Sequence, residues 1–147
     1  MAGTTAYVAD EQVGLEVLDI TLPQSPAFIG SCNTPGSARG VCVSGSLAFV
    51  ADGRFGLQVI DVSNPALPSI IGNYDTPGYA NRVFVQDTLA YVADGSGGLQ
   101  VVSVATPSAP RKMGSFATPY AYSVFAVGTT VYIADRDEGL VVVAPRL

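Results

Sequence analysis

The hydrophobic and polar positions of this chain follow a β pattern. Apolar residues come in short runs, and no run repeats them at the 3.6-residue spacing of a helix. Residue pairs typical of tight turns, such as Ser44-Gly45, Asp52-Gly53 and Asn64-Pro65, separate these runs. The pattern predicts an all-β protein of short strands and hairpins, with little or no helix.

One sequence of strand and turn residues occurs four times. It reads AYVADEQVGL from Ala6, AFVADGRFGL from Ala48, AYVADGSGGL from Ala90 and VYIADRDEGL from Val131, so the copies start 42, 42 and 41 residues apart. Each of the first three copies continues with a β-branched run, two prolines three residues apart and a Thr-Pro pair. Similarity at a fixed period indicates a repeat architecture. The repeat units are residues 6–47, 48–89, 90–130 and, in part, 131–147.

Each unit contains segments for four strands, labelled A to D. In the second unit, strand B lies at Phe49-Val50-Ala51, strand C follows Gly56-Leu57, and strand D runs from Ser69 to Tyr74. Four antiparallel strands in one such period make a propeller blade, whose apolar faces are buried by its neighbours. A β-helix or a sandwich is the alternative, but the Asp-Gly and Ser-Gly turns favour hairpins. The chain reads B-C-D, A-B-C-D, A-B-C-D, A-B-C, which predicts a β-propeller of 14 strands, about 3.5 blades.

The second unit also resembles a known family. Its sequence, AFVADGRFGLQVIDVSNPALPSIIGNYDTPGYANRVFVQDTL, is similar to the LVIVD repeat, a bacterial and archaeal propeller repeat, in its YVAD-like segment, Gly-Leu-x-Val-Ile-Asp-Val-Ser, Pro-x-x-Pro and Thr-Pro-Gly turn. The similarity extends over residues 6–144. It implies a propeller, often on cell-surface or secreted proteins, and no defined activity. The third unit departs from the pattern by lacking the residue equivalent to Gly78, and the fourth departs after Val143.

The strand count leaves the circle of blades incomplete. An open stack of blades exposes an apolar face at each end, and such faces mark association surfaces. We therefore expect self-association, as a homodimer that completes a ring of seven-blade or eight-blade size. The alternatives are a single-chain four-bladed propeller and a fragment of a larger propeller, natural or designed, with assembly as its only property.

Composition narrows the range of partners. Of 147 residues, 48% are hydrophobic and 13% charged, and the net charge is -5 with Lys112 as the single lysine. This balance argues against nucleic acid and against an anionic membrane surface. The first residues lack the basic and apolar regions of a signal peptide.

Cys32 and Cys42 align with apolar positions of the other repeats, which predicts buried thiols rather than a disulfide.

The inventory of reactive side chains favours a binding role over catalysis. The absence of histidine excludes Ser-His-Asp and Cys-His sites and the usual zinc ligand sets. No cofactor motif is present, and the glycine-rich segment 95–98 is expected to be a turn. One aspartate ends strand B in every unit, at Asp10, Asp52, Asp94 and Asp135. These carboxylates are expected to accept N–H bonds in their own B–C turns, and a calcium-binding or acid/base ring is the alternative.

Residues that differ between repeats are the better candidates for a binding site. The D–A and B–C loops of a propeller lie on one face, and Tyr and Arg are enriched at binding hot spots. A binding face for a ligand, another protein or a glycan is therefore expected at Arg39, Arg54, Tyr79, Asn81, Arg82, Tyr120 and Tyr122. The enzymatic alternative is a carbohydrate-binding, hydrolase-like or lyase-like site. It requires that two or more of Asp94, Asp135, Asp137, Glu138 and Tyr122 converge in one pocket.

Overall fold

The computed structural model describes residues 3–144, which form 14 β-strands in four antiparallel sheets. Sheet 1 contains β1 (Thr5–Asp10), β2 (Gly14–Asp19) and β3 (Ala27–Asn33). Sheet 2 contains β4 (Gly40–Ser44), β5 (Leu47–Ala51), β6 (Leu57–Asp61) and β7 (Ser69–Tyr74). Sheet 3 contains β8 (Arg82–Gln86), β9 (Leu89–Ala93), β10 (Leu99–Ser103) and β11 (Arg111–Phe116). Sheet 4 contains β12 (Ala121–Val127), β13 (Thr130–Asp135) and β14 (Gly139–Val143).

Every sheet pairs its strands in the order of the chain. Sheets 2 and 3 have the full A-B-C-D order, sheet 1 has B-C-D, and sheet 4 has A-B-C. The predicted all-β class and the predicted succession of 14 strands are therefore confirmed. Within residues 3–144, no helix is long and apolar enough to cross a bilayer.

The tight A–B hairpins follow from residues that tolerate a positive φ. Gly45 and Gly128 lie in the first and third of these turns with φ of 61° and 59°. Asp87 takes the same place between β8 and β9 with φ of 55°, and Asp is among the few residues besides Gly that adopt this conformation readily. The turn fixes the register in which Leu47 faces Ser44 and Leu89 faces Gln86.

The outer strands D lie close to the proline-containing C–D loops of the next sheet. Each C–D pair of sheets 1 to 3 has a register shift in the middle, for example between Val59 and Ile60. Next to this bulge in sheet 1, Gly30 lies so close to the C–D loop of sheet 2 that a Cβ atom would stand 2.6 Å from the carbonyl oxygen of Pro65. Gly72 lies in the same way against the loop at Pro107. A glycine in strand D thus sets the spacing between neighbouring sheets.

The core consists of three layers, one between each pair of adjacent sheets. Strands B and C supply most of it. The layer between sheets 1 and 2 contains Leu15, Val17, Val50 and Ile60, and each later layer has its own counterparts of these residues. One sheet covers the next in this manner along the whole stack, as expected of repeats that cannot bury both faces alone. No cluster of the described core residues joins sheet 4 to sheet 1.

The two outermost sheet faces are consequently uncovered. We call the outward side of sheet 1 the sheet 1 end face and the outward side of sheet 4 the sheet 4 end face. The sheet 1 end face is formed by Ala6, Val8, Glu16 and Leu18, and the sheet 4 end face by Tyr132, Ala134, Leu140 and Val142. The described residues therefore form an open stack of four sheets and do not close a ring within one chain.

The two cysteines differ in burial from the prediction. Cys32 and Cys42 are free thiols that are partly rather than fully buried, on β3 and β4. Burial raises the pKa of the Cys32 thiol, which keeps this side chain protonated near neutral pH.

Candidate functional site

The aspartates that end strand B fall into two groups by hydrogen bonding. In sheet 2, the Asp52 carboxylate accepts the Thr34 hydroxyl at 2.6 Å and the Gly36 N–H at 2.9 Å. In sheet 3, the Asp94 carboxylate accepts the Thr76 hydroxyl and, at 2.8 Å, the Gly78 N–H. The donors come from the preceding D–A loop, so the prediction of bonds within the aspartate's own turn does not hold for these two residues. The Thr-Pro-Gly motif is therefore the partner of the next strand B aspartate.

Asp10 and Asp135 form the other group. Asp10 accepts the backbone N–H groups of Gln12 and Val13, both within its own B–C turn. Asp135 accepts those of Asp137 and Glu138 in the same way. Its second oxygen also accepts an N–H bond from the preceding D–A loop, donated by Tyr120.

The residue after the aspartate accounts for the presence or absence of bonds within its own turn. Asp52 and Asp94 are followed by Gly53 and Gly95, which have φ near +60° and pair with the neighbouring sheet at Ala80 and Ala121. Asp10 and Asp135 are followed by Glu11 and Arg136, which do not adopt a positive φ. The Asp-Gly turn thus forms its own backbone bonds, whereas the Asp-Glu and Asp-Arg turns use the carboxylate as a cap. The D–A loop donates to Asp135 as well as to Asp52 and Asp94.

These environments move the carboxyl pKa values in opposite directions. Burial raises the pKa of Asp52 and of Asp94, although their hydroxyl and backbone donors work against this effect. Burial also disfavours the charged form of Asp135, but the backbone donors outweigh it and lower the pKa to about 2. Asp52 and Asp94 are fully buried, and their oxygens are bound to the protein itself. The two carboxylates thereby link the preceding D–A loop to strand B of the next sheet.

The other carboxylates of the enzymatic alternative are also bound separately. The Asp137 carboxylate pairs with the Arg136 guanidinium at 3.3 Å, and Asp135 bonds the backbone of Asp137 and Glu138 rather than their side chains. Tyr122 is exposed, 6.2 Å between ring centroids from Tyr120. Among residues 3–144, no group of three or more His, Cys, Asp or Glu side chains is placed to hold a metal ion.

The aromatic residues of the D–A loops cover the turn glycines. A Cβ atom at Gly53 would stand 2.9 Å from the Tyr79 ring, and one at Gly95 would stand 3.1 Å from the Tyr120 ring. The Arg136 guanidinium lies 4.4 Å from the centroid of the Tyr120 ring. Both tyrosines were predicted as ligand contacts. Each instead packs on the Asp-Gly turn of the sheet before its loop, Tyr79 on Gly53 and Tyr120 on Gly95.

Three further predicted site residues connect sheets. Asn81 is buried and donates from Nδ2 to the Ala121 carbonyl at 3.1 Å. Arg82 donates to the carbonyl oxygen of Arg39. Arg39 forms an ion pair with Glu11 at 2.8 Å. Their backbone and ion-pair bonds hold neighbouring loops together.

A groove on the loop face brings two of the predicted residues, Arg54 and Tyr79, together. Arg54 and Phe55 of the B–C loop face Tyr79 and the segment 35–37 across a space of about 300 Å³. The Arg39 guanidinium lies 5.9 Å from the centroid of the Tyr79 ring. Arg54 and Phe55 are exposed. An exposed guanidinium in a groove that is also lined by aromatic rings is suited to an acidic sugar or another flat anionic ligand.

A larger groove lies at the A–B turns of sheets 3 and 4 and was not predicted. It measures about 410 Å³ and is lined by Gln86, Asp87, Tyr91 and the turn at Gly128. Gln86 closes one side by donating to the Gly128 carbonyl at 2.9 Å. The A–B turns vary between repeats, and this variation was the only sequence signal available for the groove.

The exposed end faces contrast with their repeat counterparts inside the stack. Leu140 on the sheet 4 end face is 68% exposed, whereas Leu15, Leu57 and Leu99 at the same repeat position are fully buried. Val8 on the sheet 1 end face is 38% exposed, whereas its counterparts Val50, Val92 and Ile133 are fully buried. These faces are built like internal interfaces but lack a covering sheet.

Comparison with known proteins supports the repeat and the fold. The LVIVD repeat model matches four times, at residues 2–34, 35–76, 77–118 and 120–143. No curated protein matches the sequence.

Solved structures with low sequence identity share the architecture. The computationally designed Ika8 protein matches with a TM-score of 0.76 and 9% identity, over 97% of this chain and 43% of that one. The computationally designed Ika4 protein matches with a TM-score of 0.73 and 8% identity, over 98% and 87%. A luciferin-regenerating enzyme matches with a TM-score of 0.62 and 13% identity, over 92% and 53%. This chain spans less than half of the length of Ika8, and at these identities the likeness concerns the fold alone.

Proposed function

We propose, from the premise that the chain belongs to the LVIVD-repeat family of β-propeller repeats, that it is a non-enzymatic assembly module. It self-associates through its two end faces as a homodimer. The stack of sheets supplies the association surfaces, and the loop face carries any further ligand or partner. This role uses the property that every repeat shares, which is a sheet covered on both sides by another sheet.

The exposure of the sheet 4 end face carries this proposal. Leu140 and Val142 are 68% and 56% exposed, and Tyr132 lies beside them on the next strand. A contiguous apolar face of this kind on a protein surface marks an interaction site. The side chains are the same types that fill the buried layers, so a sheet of the same repeat is a suitable cover.

The mass of the protein in solution tests the proposal. Multi-angle light scattering coupled to size exclusion should give twice the 15.1 kDa chain mass, at concentrations above the dissociation constant. Leu140→Lys, which places a charge on the sheet 4 end face, should reduce the mass to that of a monomer. Leu67→Lys is the matched control, because Leu67 is 75% exposed in the C–D loop of sheet 2, away from both end faces. A monomeric wild-type protein over the accessible concentration range contradicts the proposal.

The loop-face groove supports a second candidate function, the binding of a small acidic ligand. Arg54 is free of ion pairs among the described residues and lines the groove together with Phe55 and Tyr79. An array of acidic glycans and a panel of carboxylate metabolites are suitable probes. Arg54→Ala should abolish any binding detected, whereas Arg111→Ala, an exposed arginine on strand D of sheet 3, should leave it intact. Binding that survives Arg54→Ala excludes this groove as the site.

A further inference from the structure

Each internal layer of the stack joins the same two kinds of sheet face. The face that a sheet turns to the next one carries the residues at the positions of Phe49, Ala51, Leu57 and Val59. The face that the next sheet turns back carries those at the positions of Ala90, Val92 and Val102. The same two sets of positions meet between sheets 1 and 2 and between sheets 3 and 4. We call the first kind the forward face and the second kind the backward face.

The two end faces are one of each kind. On the sheet 4 end face, Tyr132, Ala134, Leu140 and Val142 occupy the forward positions. On the sheet 1 end face, Ala6, Val8 and Leu18 occupy the backward positions. A forward face covers a backward face in all three internal layers, and two faces of the same kind do not meet anywhere among the described residues.

We infer that a second copy of this chain docks head to tail, with the sheet 4 end face of one copy on the sheet 1 end face of the other. This inference rests on the proposed self-association and specifies its geometry. Leu140 and Val142 of one copy then meet Val8 and Leu18 of the other, as Leu57 and Val59 meet Val92 and Val102 inside the stack. In a head-to-tail arrangement every end face is covered only if the copies close a ring. Two copies give a ring of eight sheets. We call each contact between the copies a seam, and the sheets on either side of a seam have three strands.

One side chain makes this seam weaker than the internal layers. Glu16 lies opposite Val8 on the sheet 1 end face, at the position held by Gln58 in sheet 2 and Gln100 in sheet 3. Both glutamines are almost fully buried and donate from Nε2 to a turn carbonyl, at 3.1 Å and 2.7 Å. An ionised glutamate cannot donate this bond and loses hydration when it is covered. The seam is therefore reversible, in contrast to the layers within the chain.

Two variants that each block one end face distinguish the possible geometries. Val8→Lys blocks the sheet 1 end face, and Leu140→Lys blocks the sheet 4 end face. Both positions are exposed in the single chain, so the internal layers are preserved, and circular dichroism checks that each variant is folded. Each variant should be monomeric alone. An equimolar mixture should form a 1:1 heterodimer, because it retains one intact forward face and one intact backward face.

The remaining outcomes separate the geometry from the association itself. A Val8→Lys protein that dimerises alone shows a symmetric contact between two sheet 4 end faces, and a Leu140→Lys protein that dimerises alone shows one between two sheet 1 end faces. Either result overturns the head-to-tail inference and keeps self-association, and the second also contradicts the proposed use of the sheet 4 end face. A dimeric wild type with a mixture that stays monomeric at the highest soluble concentration also overturns the inference. A wild type that never associates overturns the proposed function instead.

Discussion

Replacing Asp52 by alanine removes the acceptor that ties the loop after sheet 1 to sheet 2. The carboxylate is fully buried and accepts the Thr34 hydroxyl at 2.6 Å and the Gly36 N–H at 2.9 Å. Without it, both donors remain in a site that the D–A loop keeps from water. The loop must then open or leave two polar groups without partners.

The two lost bonds set the size of the effect. Each buried donor left without a partner costs roughly 1–3 kcal/mol, and the burial cost removed with the carboxylate offsets part of the sum. We expect Asp52→Ala to lower the free energy of unfolding by about 3 kcal/mol. For a domain of this size, that corresponds to a fall in Tm of about 6–12 °C.

Urea unfolding at pH 7, followed by far-UV circular dichroism at one fixed protein concentration, measures the loss. The concentration must be constant because association raises the apparent stability. Asp10→Ala is the matched control: Asp10 holds the same repeat position but accepts only the N–H groups of Gln12 and Val13 in a solvent-accessible turn. Its loss should be about 1 kcal/mol or less.

Equal losses in the two variants would refute this reasoning. They would mean that the carboxylate contributes only as a turn cap and that the bonds to Thr34 and Gly36 add nothing to stability. A loss below about 1 kcal/mol for Asp52→Ala would lead to the same conclusion.

Three other predictions concern pH, backbone conformation and the seam. The pKa of Asp135 is lowered to about 2, so its stabilising contribution is present above pH 3.8 and is lost as the pH falls towards 2. The pKa of Asp52 is raised, so its contribution to stability is largest at low pH and declines as the pH rises above 3.8. Stability measured against pH for Asp135→Asn and Asp52→Asn should therefore diverge from wild type in opposite directions, and parallel curves would contradict this. Gly56→Ala should destabilise the protein far more than Gly45→Ala, because both glycines have a positive φ but only a Cβ at Gly56 overlaps a neighbouring backbone. Equal midpoints of urea unfolding for the two variants would show that the overlap is relieved. Glu16→Gln should lower the dissociation constant of the dimer by about tenfold, and an unchanged constant from a dilution series would show that Glu16 is not covered.

The repeat pattern was sufficient to predict the strands and their succession. The four copies of the YVAD-like segment, the Gly-Leu pairs and the turn residues identified each strand, because hairpin turns and alternation are local properties. The family followed from the same residues, and the LVIVD repeat model confirms it. The predicted loop-face site is less well supported: Arg54 and Tyr79 meet in a groove, but Asn81 and Arg82 bind neighbouring loops.

The aspartates show where local reasoning was insufficient. The sequence marks Asp10 and Asp52 as equivalent in the repeat, but Glu11 follows the first and Gly53 the second, and the Thr-Pro-Gly loop at 34–36 comes before Asp52 alone. Asp10 caps its own turn, whereas Asp52 holds a loop 16 residues away in the chain, at Gly36. The choice depends on a turn conformation and on a loop that approaches from the neighbouring sheet, and neither is encoded in the periodicity.

The sequence alone determined the secondary structure, the repeat length and the family, since each depends on residues close together in the chain. Only the tertiary structure decided which repeated residues are covered. Leu57 and Leu140 have the same repeat position, yet one is fully buried and the other is 68% exposed, because burial depends on whether another sheet lies against that face. The proposed association surface is therefore made of residues that the sequence could not distinguish from the core.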